Sequence, residues 1–270
     1  MVDFFYSLPI WLATVLVLGL SLAVGLGCSF GLRKAFRLNP GDDEVETAVS
    51  LMQVVAAYIG ILIAFAGVQV WQEFSDAAKA VHREAAGASQ LYRDLAVYGD
   101  ETLPARRQVR DYTDSIVRDE WPLLAEGRPS PRTEVELYGL FNAVGQIHPV
   151  DARDTAIFAE VFRNLNDLVG LRRDRLIHSE SGMPMILWIV GLFGSVLIVA
   201  YTATFPRSRT NLLMIAGISI ALGLVFLFIL TVDRPYMGEF HVDNRELAQL
   251  SGKFDWLDRM VAGPAVPTAK

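Results

Sequence analysis

The chain has 270 residues, 52% of them hydrophobic, with a formal net charge of −6 and a mean hydropathy of +0.33. Composition this apolar disfavours an ordinary soluble domain of the same size. The acidic balance excludes a nucleic-acid partner, which needs a concentrated basic face, and a single cysteine, Cys28, excludes an internal disulfide or a cysteine-built metal site.

The distribution of charge sets the architecture. No Asp, Glu, Lys or Arg occurs in residues 4–32, 47–72, 181–206 or 210–232. Each window exceeds the roughly 20 residues that a helix needs to cross the hydrocarbon core. A charge at mid-bilayer costs about 2.5–3.5 kcal/mol, so long charge-free windows mark membrane spans. The predicted fold is an all-α membrane protein. It has four transmembrane helices and an extramembrane helical bundle inserted between helices two and three. Residues 1–71 hold spans one and two (about 8–30 and 48–71), and residues 72–183 form the bundle. Residues 184–232 form a transmembrane hairpin (about 184–205 and 211–232), and residues 233–270 a tail with an amphipathic helix.

In chain order, Pro9 and Trp11 open the first span, and Arg33-Lys34 close it. The basic residues follow the apolar run instead of preceding it, which predicts a retained helix and not a cleaved signal. Asn39-Pro40-Gly41 is turn chemistry, followed by the acidic group Asp42, Asp43, Glu44 and Glu46. The second span carries Ala56, Gly60 and Ala64 at steps of four, a ridge of small residues suited to close helix packing. Apolar residues at three- and four-residue steps from Phe74 to Leu95 predict a helix that continues this span to Gly99. A second bundle helix starts near Pro104 and is expected to end at Trp121-Pro122 and Gly127. A third begins at Ser130-Pro131 and breaks at His148-Pro149, and the last carries Ile157 to Val169 and then Arg172, Arg173 and Arg175. Pro206-Arg207-Ser208-Arg209 is short enough to force spans three and four into a hairpin. The tail sets Leu247, Leu250, Phe254, Leu257 and Val261 against charged residues, a face that suits either a membrane surface or the bundle.

Several phrases together resemble the bacterial bestrophin-like domain family of four-span membrane proteins. They are Ala64-Phe65 through Val70-Trp71-Gln72-Glu73-Phe74, Arg83-Glu84-Ala85 with Leu91-Tyr92-Arg93, Asp119-Glu120-Trp121-Pro122, and Asp233-Arg234-Pro235-Tyr236-Met237-Gly238. The chain departs from the family pattern at Glu44-Val45-Glu46 and at Tyr236. The resemblance implies distant kinship to bestrophin channels. From it follow a pore lined by the second span and a homo-oligomer, with a pentamer as the implied assembly. It also implies small inorganic ions as the permeating species.

The residues themselves offer little enzyme chemistry. His82, His148, His178 and His241 are scattered, with no metal-binding pair and no nucleophile motif. No enzyme activity, cofactor or metal is expected. The acidic group at 42–46 lacks the spacing of a calcium loop and reads as a solvated surface. The pore or gate candidates lie on span two. Gln53, Tyr58 and Gln69 are polar side chains that want partners away from lipid, and Phe65 suits a hydrophobic constriction. Asp233, Arg234, Pro235, Tyr236 and Gly238 mark the exit of the fourth span, as a coupling element or as a helix stop.

Arg33, Lys34, Arg37, Arg207 and Arg209 flank the short loops, so the positive-inside rule places those loops in the cytoplasm. A bacterial inner membrane location with a periplasmic bundle follows from that count, whereas bestrophins keep their helical part in the cytosol. The leading expectation is an oligomeric ion channel in the lipid bilayer. The alternative is a non-transporting sensor or scaffold whose bundle binds a partner.

Overall fold

The computed structural model describes residues 5–261. Among these residues every regular element is helical. The order is α1 (Ile10–Ala35), α2 (Asp42–Tyr98), α3 (Leu103–Ser115), α4 (Pro131–Gly145), α5 (Ala152–Glu180), α6 (Met185–Tyr201), α7 (Arg209–Val232) and, after a single turn at Arg245–Ala248, α8 (Leu250–Val261). Four helical stretches are long and apolar enough to cross a membrane: α1, α2, the run that ends with α6, and α7. The protein is an all-α membrane protein with four such helices.

The chain divides into two compact units. The first joins the residues up to Phe74 with Gly182–His241, and the second joins Ser75–Ser181 with the segment from Val242 onward.

The first unit holds the spans. Lipid is as apolar as leucine, so packing and small residues, not water exclusion, hold such helices together. Span one lies closely against span four: a Cβ on Gly25 would collide with the Ser219 side chain. A Cβ on Gly194 of α6 would likewise collide with Ile59 of α2. The core face of α2, formed by Ile63, Ala66 and Val70, meets Phe226, Ile229 and Val232 of α7, with Leu187 and Trp188 of α6 packed alongside. The first span runs five residues past its expected end, to Ala35, so Arg33 and Lys34 sit in its last turn. It closes with Arg37 at φ 51° and a bond from the Leu38 amide to the Arg33 carbonyl, a Schellman-type stop.

The second unit is built on the 3–4 stripes of α2 and α5. Ala77, Val81, Ala88, Leu91 and Leu95 are buried on α2, and Val161, Leu165 and Leu168 on α5. Gly99, at φ 141°, ends α2, and Ser130 caps α4 by accepting from the Thr133 amide. One boundary differs from the sequence expectation. Trp121-Pro122 does not end the helix that begins with α3. A π-helical segment, Ile116–Glu120, intervenes, and Trp121–Leu124 adds a further turn before Gly127, at φ 64°. Pro122 falls in the first turn of that short helix, where its missing N–H costs nothing. The tail helix α8 docks within this unit, with Leu250 and Phe254 fully buried.

Candidate functional site

The second span separates its side chains by direction. Ile63, Ala66 and Val70 are buried, whereas Tyr58 is 70% exposed and Phe65 69%; Gln53 and Gln69 are exposed too. All four pore candidates therefore point away from the rest of the chain. They do not share one stripe. At 100° per residue, Tyr58, Phe65 and Gln69 follow one line, with Leu62 between them. Gln53 lies about 140° round the helix from Tyr58, in line with Gly60 and Ala64. A Cβ added to Gly60 would meet no heavy atom among the described residues. The small ridge of Ala56, Gly60 and Ala64 is thus not where the described chain packs on itself; Gly25 and Gly194 serve there instead. Trp71 ends the span in aromatic contacts, 6.1 Å from the Phe74 ring and 6.5 Å from that of Phe228.

The exit motif is built into the first unit. Asp233 is buried and accepts a hydrogen bond from the Met183 amide, the residue just before Pro184 opens the third span. The Arg234 guanidinium packs where Gly182 has no side chain; a Cβ there would sit 3.2 Å from it. Burial pushes the Asp233 carboxyl above its usual range, against the opposing effects of the Met183 hydrogen bond and the Arg234 charge. Tyr236 is buried, and Gly238 takes φ 78°, where an added Cβ would sit 3.0 Å from the Tyr6 ring. Tyr6 donates to the Leu230 carbonyl at 2.7 Å. The motif therefore ties the end of span four to the start of span three and to the residues before span one.

Sequence reasoning missed the most polar feature of the second unit. Arg175, Glu84 and Glu120 are completely buried, and Arg172 is nearly so. Arg175 is paired with both Glu84 and Glu120. Arg172 bonds Glu120 at 2.7 Å and Glu134 at 2.8 Å. Tyr112 donates to Glu84 at 2.7 Å, and the Ser130 amide to Glu120 at 3.1 Å. Two buried arginines thus face two buried glutamates, a balance that makes full burial bearable. Burial pushes the Glu120 carboxyl up, but the Arg175 charge and the Arg172 hydrogen bond outweigh it and hold the group below its usual range. Tyr112 is raised well above its ordinary value, by burial first and by the Glu84 charge second. A signal existed. Glu84 occupies the α2 stripe that runs 77, 81, 84, 88, 91, 95, and Arg172 and Arg175 continue the α5 stripe 161, 165, 168. Charges on a core stripe demand partners.

A second polar cluster holds the tail. The Phe254 ring stacks on Tyr92, centroids 4.1 Å apart, with the Arg110 guanidinium 5.1 Å from the Tyr92 ring centre. Asp258 accepts from Tyr92 at 2.7 Å, Arg106 at 2.8 Å and Arg110 at 2.9 Å. Asp255 pairs with Arg110 at 2.7 Å. Among the described residues no group of three or more His, Cys, Asp or Glu is placed to hold a metal ion.

The bestrophin-like domain model matches residues 19–247, which is most of the chain and includes every motif quoted above. The chain belongs to the bestrophin-like family. Its fold is similar to that of a solved chain described as the crystal structure of a membrane protein P143A. The TM-score is 0.64 at 13% identity, over 93% of this chain and 99% of that one. At that identity the likeness concerns the fold. No curated protein matches. For a bestrophin-like chain, the buried network of Glu84, Glu120, Arg172 and Arg175 gives the phrases around Arg83-Glu84-Ala85 and Glu120-Trp121-Pro122 a structural role in the second unit. The face of span two that carries Tyr58, Phe65 and Gln69 is not covered by the described residues.

Proposed function

We propose that the protein is a homo-oligomeric, bestrophin-like ion channel in which small inorganic ions pass down their gradient along the second span of each subunit. One observation carries this reading. The polar and aromatic side chains of that span, Gln53, Tyr58, Phe65 and Gln69, face outward from their own chain. Polar groups that meet neither their own chain nor lipid comfortably belong against another subunit or against water. The two stripes divide the work. Ala56, Gly60 and Ala64 let a neighbouring copy approach, with Gln53 bonding across that contact, while Tyr58, Phe65 and Gln69 line the pathway. Phe65 is its hydrophobic constriction. The resemblance to bestrophins supports a pentamer. The process is passive permeation and calls for no catalytic residue or cofactor.

Flux through the purified protein in liposomes tests this, with chloride, sodium and potassium gradients imposed separately. Selective flux, raised by Phe65→Ala and altered by Gln53→Leu, is the expected result. Unchanged permeation in both variants removes span two from the pathway. No flux from folded, oligomeric protein, together with a stable co-purifying partner, favours the sensor or scaffold instead.

For the bundle we favour the periplasmic side of a bacterial inner membrane, on the strength of Arg33, Lys34, Arg37, Arg207 and Arg209 beside the short loops. Val150, an exposed residue of the second unit, offers the test. In a Cys28→Ser background, Val150→Cys should react with an impermeant maleimide in spheroplasts. Protection until the membrane is broken reverses the orientation.

A further inference from the structure

At the end of the first unit where span one closes and span four begins, the protein has a cavity of about 220 Å³. Phe30, Phe205 and Ile215 form its apolar floor, and Arg33, Arg207 and Arg209 its rim. Three cations converge on one small space, and their electrostatics are unbalanced. Among the described residues no carboxylate forms an ion pair with any of them, including the acids Asp42, Asp43, Glu44 and Glu46 of the nearby connection.

The three arginines are held differently. Arg33 donates to the Phe205 carbonyl, which pins it to the connection between spans three and four. Arg207 lies over the Phe30 ring, 5.3 Å from its centre, so its charge is fixed above the apolar floor. Arg209 is the first residue of α7, and the axis of that helix starts beside the rim with its positive end. Ser208 accepts from the Asn211 amide at 3.1 Å, and the Asn211 side chain donates to the Pro206 carbonyl at 2.7 Å. These bonds shape the turn that presents Arg207 and Arg209 together.

We propose that this cavity is a binding site for the phosphate of an anionic glycerophospholipid. The chemistry fits the depth. The site sits where two spans end, which is the level of lipid headgroups. A volume of about 220 Å³ is several times the roughly 30 Å³ share of a water molecule, and so admits a phosphate and its glycerol oxygens but not a whole lipid. The acyl chains would run down the exposed apolar flank of α7 at Leu212 and Leu213. Arginine suits the task because its planar fork meets phosphate oxygens in pairs, and basic pockets between membrane helices are a recurrent way to hold such headgroups. The site is separate from the span-two pathway and does not depend on it.

The test uses the full chain in mixed micelles, titrated with phosphatidylglycerol, phosphatidylcholine or inorganic phosphate, with bound lipid read by native mass spectrometry. Phosphatidylglycerol should stay bound where phosphatidylcholine is lost. Arg207→Gln and Arg209→Gln should each weaken it roughly fivefold, and the double variant roughly 30-fold. Both side chains are exposed, so the melting temperature without lipid should not move, which separates a lost site from a lost fold. Should the double variant misfold, Arg209→Gln alone carries the test. Equal retention of the two lipids, or undiminished phosphatidylglycerol binding in the variants, overturns the proposal. Displacement of phosphatidylglycerol by inorganic phosphate at matched concentration overturns the lipid assignment and makes a soluble anion the ligand.

Discussion

The two units solve the same problem, a polar atom in a dry place, in opposite ways. In the membrane unit most buried polar side chains are hydroxyls that turn back on their own helix; Ser29, which donates to the Thr202 carbonyl, and Asp233 are the exceptions. Ser195 donates to the Gly191 carbonyl, Thr202 to Val199 and Ser219 to Ile215. Each is satisfied within a turn and asks nothing of a neighbour. In the second unit the buried polar groups are ions, and their bonds run between helices: Glu84 on α2, Glu120 beyond α3, Arg172 and Arg175 on α5. The first arrangement leaves the mid-span packing to shape, with the bonds between segments gathered near the span ends. The second makes three segments of the bundle mutually dependent, because each ion is tolerable only while its partners are present.

Glu120→Ala should break this contrast most severely. It removes the carboxylate that serves both Arg172 and Arg175 and leaves buried positive charge, at a cost of about 3–5 kcal/mol. Loss of monodisperse protein, or a much lower first transition in calorimetry, is the expected reading; a melt like that of the parent would show that water reaches the cluster. A smaller effect comes from the tail. Burial raises the Asp258 carboxyl, but the hydrogen bonds from Tyr92 and Arg110 and the Arg106 charge win, so its folded value lies below the usual range. The folded state therefore binds fewer protons than the unfolded one. The contribution is fully present above the ordinary carboxylate range and is lost as pH falls through the folded value. Protection factors across residues 250–261, taken against the intrinsic exchange rate at each pH, should fall on acidification, and Asp258→Asn should show lower protection at neutral pH with that dependence flattened. The least effect belongs to Ser219→Ala, about 1 kcal/mol or less, since both the hydroxyl and its acceptor stay within one helix. A large loss of thermal stability there would mean that Ser219 bonds across to another span after all.

The helical architecture was legible in the residues because charge-free windows longer than a bilayer is thick seldom arise outside membrane spans. The stop of α2 at Gly99, the cap at Ser130 and the fusion of span two with the bundle were legible for equally local reasons. The path of the chain through Trp121-Pro122 was not. A proline after tryptophan reads as a stop, and the π-helical segment that precedes it has no sequence signature. The ion network was half visible. Glu84, Arg172 and Arg175 sit on apolar stripes where a charge is an anomaly, but periodicity says that a partner must exist without saying which one. The directions of Gln53 and Phe65 round the second span follow from spacing alone. What the exposed stripes meet does not, since that depends on copies of the chain or on lipid.

The segment Ile116–Glu120 carries a consequence for how this protein can change over time. A π turn holds one residue more than an α turn would. Removing a residue between Val117 and Asp119 would let the helix heal into regular geometry at little local cost, so backbone energetics would not penalise the deletion. It would, however, shift Glu120 along and round the helix, away from Arg172 and Arg175. Selection at this point would therefore act on the length of the segment as well as on its side chains, and a family member lacking the extra residue should also have replaced the two arginines.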